Sequence, residues 1–302
     1  MRGERRNVLS HGRRGLRSRA LAVAVGLTGG GTTGCTVVVA GDDVQCQTDA
    51  DCGARGFGDA SCVDQVCTIA AGGTMWGCLG NIEDVIPDPS RTIQVEVDLV
   101  FAVGGAAVGP QTVINVCDKL DVDCSDADST LPRGLQPDGN GRLRVEVPEG
   151  FDGFFTLNGP DIIDSRFYVG EPLLGPPSIQ ALQVLSPEDF TTLATLAGDA
   201  PDPTRGSSIV LVVDCNGDGA GGVTLNGANA DASSVPFYLI NQQPVPSATE
   251  TDSDGFGGYF NLPLGSAVVS ATRASDGAFV GESSFQVAAD TMSYVLVSPG
   301  PQ

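Results

Sequence analysis

Asp214-Cys215-Asn216-Gly217-Asp218-Gly219 places three oxygen-bearing side chains on alternate positions and ends on a glycine. The pattern D-x-N-x-D-G opens a twelve-residue calcium loop, where hard oxygen ligands surround the ion and the glycine makes the sharp turn. Such a loop closes on a glutamate at position 12, where Leu225 stands, and a strand-like run precedes the motif where a helix belongs. A calcium site on Asp214, Asn216 and Asp218 is therefore weighed against a polar turn whose Cys215 is disulfide-bonded. Asp121, Asp123, Asp126 and Asp128 around Cys124 offer the same choice between a cation loop and a solvated acidic loop closed by a Cys117–Cys124 bridge.

Most other chemistry lacks its residues. The single histidine, His11, lies in a segment expected to be removed, which excludes Ser-His-Asp and Cys-His catalysis and every His-ligated metal. Lys119 is the only lysine and sits between two cysteines, a poor setting for a buried Schiff base. Gly219-Ala220-Gly221-Gly222 lacks the Lys and Ser/Thr of a phosphate loop. Paired carboxylates can hydrolyse a glycosidic bond, but with 37 acidic residues no spacing selects a pair. No cofactor is expected, and the chain reads as a non-enzyme; the alternatives are a calcium-dependent extracellular binding module or a secreted hydrolase using carboxylates alone.

The N-terminus reads as an address. Seven arginines lie in residues 1–34, followed by the apolar run from Leu21 and then by small residues, as in a signal peptide. Thr32-Thr33-Gly34-Cys35 resembles a bacterial lipobox, which makes Cys35 the expected lipidation site and new N-terminus; Thr32 stands where an aliphatic residue is usual. The rival is ordinary cleavage after Ala40. Beyond residue 34, nine basic side chains face 36 acidic ones. That balance argues against nucleic acid as a partner and against charge-driven binding to anionic lipid. The expected partners are the membrane, through the N-terminal lipid, and a surface protein or glycan. The expected location is the cell envelope, at the outer membrane or cell surface, with secretion as the alternative.

Nine cysteines fit an oxidising compartment: with Cys35 lipidated, Cys46, Cys52, Cys62, Cys67, Cys78, Cys117, Cys124 and Cys215 remain for disulfides. Residues 35–44 read as a tether and 45–68 as a Cys-rich mini-module spaced C-x5-C-x9-C-x4-C. So short a segment needs covalent staples, and it lacks the close pairs of a zinc site. It resembles short Cys-rich repeats of surface proteins, EGF-like ones among them. Residues 69–90 read as a linker in which Trp76, beside Cys78, is either a stacking platform or a packing plug.

Two β units follow, at 91–175 and 207–298, joined by a bridge at 176–206. Thr92 to Val100 alternates with period two, and further strands are expected at 111–117, 142–147, 151–157 and 166–169. Ser186-Pro187-Glu188-Asp189 gives an N-cap, a first-position proline and first-turn acids for a helix at 187–197, stopped by Gly198. The second unit opens with Ile209 to Val213 and continues through strands near 223–226, 236–240, 258–261, 267–272, 279–286 and 293–297. Turn order repeats as well: Asp138-Gly139-Asn140-Gly141 then Pro148-Glu149-Gly150, against Asp252-Ser253-Asp254-Gly255 then Pro263-Leu264-Gly265.

On Thr249 to Gly255, Tyr259 to Gly265 and Ala267 to Ala271, the second unit resembles the carboxypeptidase regulatory-like family of transthyretin-like sandwiches. The resemblance implies a non-catalytic accessory or surface module. The expected architecture is mostly β: two tandem Ig/transthyretin-like β-sandwiches with a short bridging helix, preceded by a small disulfide-rich module.

Overall fold

The structure, a computed structural model, describes residues 47–48, 60–63, 66–69, 75–80, 82, 86–175 and 181–300. The leader at 1–34, the tether at 35–44 and the residues Cys35, Cys46 and Cys52 lie outside them. Of the Cys-rich module, the described residues include a hairpin of β1 (Ala60–Val63) and β2 (Val66–Ile69), with Cys62 opposite Cys67 in register. Cys62 is disulfide-bonded.

The protein is mostly β, built as β-sandwiches, with one ten-residue helix among the described residues. In the first unit, β3 (Thr92–Phe101), β5 (Arg142–Pro148) and β8 (Ala181–Val184) form one sheet in the order β5-β3-β8. Facing it are β4 (Val113–Asp118), β6 (Gly153–Asn158) and β7 (Ser165–Tyr168). The helix α1 (Pro187–Leu196) then leads to the second unit. That unit holds β9 (Gly206–Val212), β10 (Val223–Gly227), β11 (Val235–Ile240), β12 (Gln243–Pro244), β13 (Phe256–Leu262), β14 (Gly265–Arg273), β15 (Phe279–Val287) and β16 (Met292–Val297).

The two units share one topology. Sheet β5-β3-β8 corresponds to β13-β9-β16, and β4-β6-β7 corresponds to β10-β14-β15. Senses agree pair by pair: β3 and β9 are antiparallel to β5 and β13 but parallel to β8 and β16. Sandwiches of short strands joined by tight turns are commonly antiparallel. The parallel pairs arise because the first and last strands of each unit lie side by side, separated by the chain length a parallel connection needs.

The units are joined edge to edge. β16 pairs in parallel with β9 on one side and with β7 of the first unit on the other. This makes one eight-stranded sheet, β12-β11-β13-β9-β16-β7-β6-β4, covered on one face by β5-β3-β8 and α1 and on the other by β10-β14-β15. Patterning follows layer. The outer strand β5 alternates buried and exposed along Arg142–Pro148, while β9 and β16 lie in the middle layer and are buried on both faces. Hence the alternation of the one sequence and the unbroken apolar runs of the others.

Within the central sheet, neighbouring residues feed opposite cores. Ile209, Phe237, Phe260 and Tyr294 face the β3 sheet and α1, whereas Val210, Tyr238, Tyr259 and Val295 face β14. A bulge at Asn261, with φ 55°, shifts the register between Tyr259 and Leu262, so Leu262 joins the same core as Tyr259. Each fully buried phenylalanine or leucine here stabilises the fold by roughly 1.5–3 kcal/mol.

The Ser186 hydroxyl accepts the Asp189 amide at 3.1 Å and caps α1. The helix closes with Gly198 (φ 90°) donating to Thr195 and Asp199 donating to Ala194. Phe190 and Ala194 seat it on the core, beside Phe260.

Candidate functional site

The calcium-like motif is a turn occupied with itself. The Asp214 carboxylate is buried, and its Oδ1 accepts the Asn216 amide at 2.8 Å and the Asp218 amide at 3.1 Å. Its Oδ2 accepts the Asn216 side-chain amide at 3.2 Å. The carboxylate thus closes the loop as an Asx turn. Cys215 is bonded to Cys78, and its amide donates to the Met75 carbonyl at 3.0 Å. The segment 75–80 is thereby fastened to the second unit, and Trp76, half-buried, packs on that unit's core as a plug.

The acidic loop has a similar economy. Cys117 and Cys124 are joined. Asp121 accepts the Ser125 amide at 2.8 Å, the Asp126 amide at 3.0 Å and Arg133 Nη2 at 2.9 Å, while Arg133 also donates to the Cys124 carbonyl. Burial acts to raise the Asp121 carboxyl, but those amides and the guanidinium outweigh it and hold it below its usual range. Asp123, Asp126 and Asp128 stand exposed. Among the described residues, no three His, Cys, Asp or Glu side chains meet in a metal-holding group.

Other acids are engaged in the same way. Asp138 is lowered chiefly by the amides of Arg142 and Asn140, Asp98 by the Arg142 side chain and Asp231 by Arg205. Lys119 Nζ contacts both oxygens of Asp152 at 3.0 Å. Glu171 moves upward, because burial penalises its charge. Burial also pushes the Tyr294 hydroxyl far above the ordinary phenol range, which keeps it neutral. The glycine run at 219–222 answers to packing: a Cβ at Gly219 would lie 2.9 Å from the Ser253 carbonyl oxygen, and one at Gly221 would lie 3.1 Å from that of Asp252.

The sequence carries no sign of a groove of about 620 Å³ beside β8 and α1. Its floor is the stretch of central-sheet face left uncovered between the β3 sheet and α1: Phe167, Ile209, Leu211, Leu239, Phe256 and Leu296. β8 and α1 form its walls, with Gln242, Gln243 and Pro244 at the far rim. Asp189 and Asp254 are the only charged residues lining it among those described. Asp189 accepts a hydrogen bond from the Ser186 hydroxyl at 2.7 Å, so its carboxylate belongs to the helix cap. The size and lining are those of a binding pocket. The floor draws on five strands far apart in sequence, which is why no local motif announced it.

No family model and no curated protein matches the chain. Solved structures that are similar include the Bacillus anthracis TIE protein, at 12% identity over 69% of this chain and 34% of that one, with a TM-score of 0.22. The shaft pilin SpaA from Lactobacillus rhamnosus GG is 10% identical over 70% of this chain and 99% of its own, with a TM-score of 0.21. A Streptococcal ancillary pilin is 14% identical over 70% of this chain and 64% of its own, with a TM-score of 0.24. This chain spans about a third of the first of these. Likeness at this level carries no statement of what this chain does. Fold and groove define a class, a disulfide-linked tandem β-sandwich protein with an apolar cleft. No helix among the described residues is long and apolar enough to cross a membrane.

Proposed function

We propose that this chain is an exported surface lipoprotein, anchored through Cys35, with a structural or binding role and no catalysis of its own. The observation that carries the reading is the pair of bridges Cys78–Cys215 and Cys117–Cys124. Disulfides of this structural kind persist in oxidising compartments. The Arg-rich start, the apolar run and Gly34-Cys35 supply the matching address. The non-catalytic part is supported by Asp98, Asp121, Asp138, Asp214 and Asp231, whose oxygens bind their own turns or a neighbouring arginine. The resemblance of the second unit to carboxypeptidase regulatory-like modules points the same way, toward an accessory module. Its partner is a surface protein or glycan.

The test is intact mass and detergent partitioning of the protein purified from its native host. A triacylated chain beginning at Cys35, in the detergent phase and without free thiols, is the expected result. A chain beginning near Gly41 and released to the medium would remove the anchor; one retained inside the cell with reduced cysteines would overturn the reading.

A further inference from the structure

We infer that the apolar groove beside β8 takes an extended segment of another polypeptide, added as a parallel strand to the β8 edge. The segment is apolar at alternate positions and basic at its flanks. This deepens the surface-binding reading above and rests on it.

The edge supplies the first argument. Val184 accepts the Ala102 amide at 2.8 Å, so its carbonyl points toward β3. In a parallel ladder each residue sends its N–H and C=O to one side, and alternate residues send theirs to opposite sides. The backbone groups of Ala181 and Gln183 therefore point away from β3, along the groove wall, and β8 has no second strand partner among the described residues. The Leu185 carbonyl, next in that outward series, is closed off by the Ile163 amide at 3.0 Å. The open edge is thus short and defined at its end.

The fold itself supplies the second argument. In the other unit the strand corresponding to β8 is β16, and its outer edge already carries an added parallel strand, β7, from Met292↔Ser165 to Val295↔Tyr168. Strand addition at this edge is therefore something these sandwiches do. A strand added to β8 would lie over the floor of Phe167, Leu211, Phe256 and Leu296, at the spacing of packed sheets of about 10 Å. One row of its side chains would enter the groove and the other would face solvent.

Charge supplies the third. Among the described residues the lining holds Asp189 and Asp254 and no basic side chain, in a chain that carries 36 acids against nine bases beyond residue 34. A basic flank on the incoming strand complements that rim and speeds its encounter. The strand β7, which fills the equivalent edge, itself pairs Arg166 with Phe167.

The test uses the full mature protein and an equimolar pool of octapeptides, Arg-flanked, with alternate positions drawn from Val, Ile, Leu and Phe and the rest Thr. A Glu-flanked pool and an Arg-flanked pool with N-methylated alternate amides serve as comparisons. Saturable binding of the Arg-flanked pool alone is expected. Gln183→Pro removes an edge donor where a proline is tolerated, and it should weaken binding at least ~10-fold with an unchanged thermal midpoint. Asp254→Arg should weaken it several-fold. No binding of the Arg-flanked pool, or equal binding of the N-methylated one, overturns the inference even if Gln183→Pro fails to fold. Equal binding to a folded Gln183→Pro protein overturns it as well. Sedimentation that shows self-association lost in Gln183→Pro would assign the edge to a second copy and overturn the choice of occupant. Lipidation at Cys35 is read separately by mass: an anchored chain that binds no peptide sinks this inference alone, and a binding chain that is never exported sinks only the surface reading.

Discussion

Gly141 and Gly255 hold the same place in the two units: the Gly141 carbonyl accepts the Leu99 amide at 2.8 Å, and the Gly255 carbonyl accepts the Val212 amide at 2.9 Å. Each closes a turn opened by an aspartate, with Gly141 donating to Asp138 at 2.9 Å and Gly255 donating to Asp252 at 3.0 Å. Their φ angles are 81° and 77°. A Cβ on Gly255 would stand 2.7 Å from the Ala220 nitrogen, and one on Gly141 would stand 3.1 Å from the Ala107 Cβ. Alanine at either position combines a positive φ with a collision and should cost about 1–3 kcal/mol. Gly104→Ala shares the positive φ, at 83°, but meets nothing within 4 Å, so it should cost less. Urea unfolding of the three variants checks the order; a Gly255→Ala protein as stable as Gly104→Ala would deny that close approach fixes the residue.

The Cys78–Cys215 bridge spans 137 residues of sequence and fastens the segment that carries Trp76. Closing so long a loop removes freedom from the unfolded chain, and its loss should cost roughly 2–5 kcal/mol. The double variant Cys78→Ala, Cys215→Ala should therefore unfold earlier. Trp76 is the chain's only tryptophan, so its emission reports the event alone. In the variant, emission should shift to the red before global unfolding, as the side chain leaves the Tyr259 core. An unchanged native spectrum would mean that packing alone holds the plug.

Much of this fold was legible in the chain because the cues are local. Period-two alternation announced β3, the turns at 137–141 and 148–150 bracketed β5, and the Ser186 cap and Gly198 announced α1. The repeated Asp-Gly and Pro-x-Gly turns announced two related units, since such turns need those residues whatever surrounds them. Ala181–Val184 lies in the expected bridge at 176–206 yet forms a strand: four residues give too little pattern, and their strand character comes from pairing with β3, residues 98–101. The junction of the units was equally hidden, because β7 and β16 meet across more than a hundred residues. Of the chemistry, the cysteine pairs Cys117–Cys124 and Cys78–Cys215 fitted the expectation of disulfides. The groove was unreadable, being the part of a sheet face that no neighbouring strand covers.

Lowered carboxyls set a direction for pH. Asp88, Asp98, Asp121, Asp138, Asp202 and Asp231 all titrate below the ordinary aspartate range in the folded protein. A depressed folded pKa contributes stability that is present above the unfolded value, near 3.9, and is lost as pH falls through the folded one. Glu171 runs the other way, since its raised pKa means that protonation relieves a buried charge. Six groups against one predict a thermal midpoint that falls steadily as pH drops below about 4. Asp138→Asn should flatten that fall by removing one contributor. A midpoint that rises on acidification would show that relief of the net negative charge outweighs the turns.

Asp214 separates a turn from a metal site. If its carboxylate serves the Asn216 and Asp218 amides, removing it leaves part-buried donors without partners and should cost about 1 kcal/mol, with or without calcium. Asp214→Asn retains an acceptor for the turn and should recover much of that loss, whereas as a calcium ligand it would forfeit the charge that binds the ion. Thermal midpoints of the wild type in chelator and in excess calcium should coincide. A calcium-dependent rise in the wild type that vanishes in Asp214→Asn would place an ion in the loop and return the binding reading to a cation.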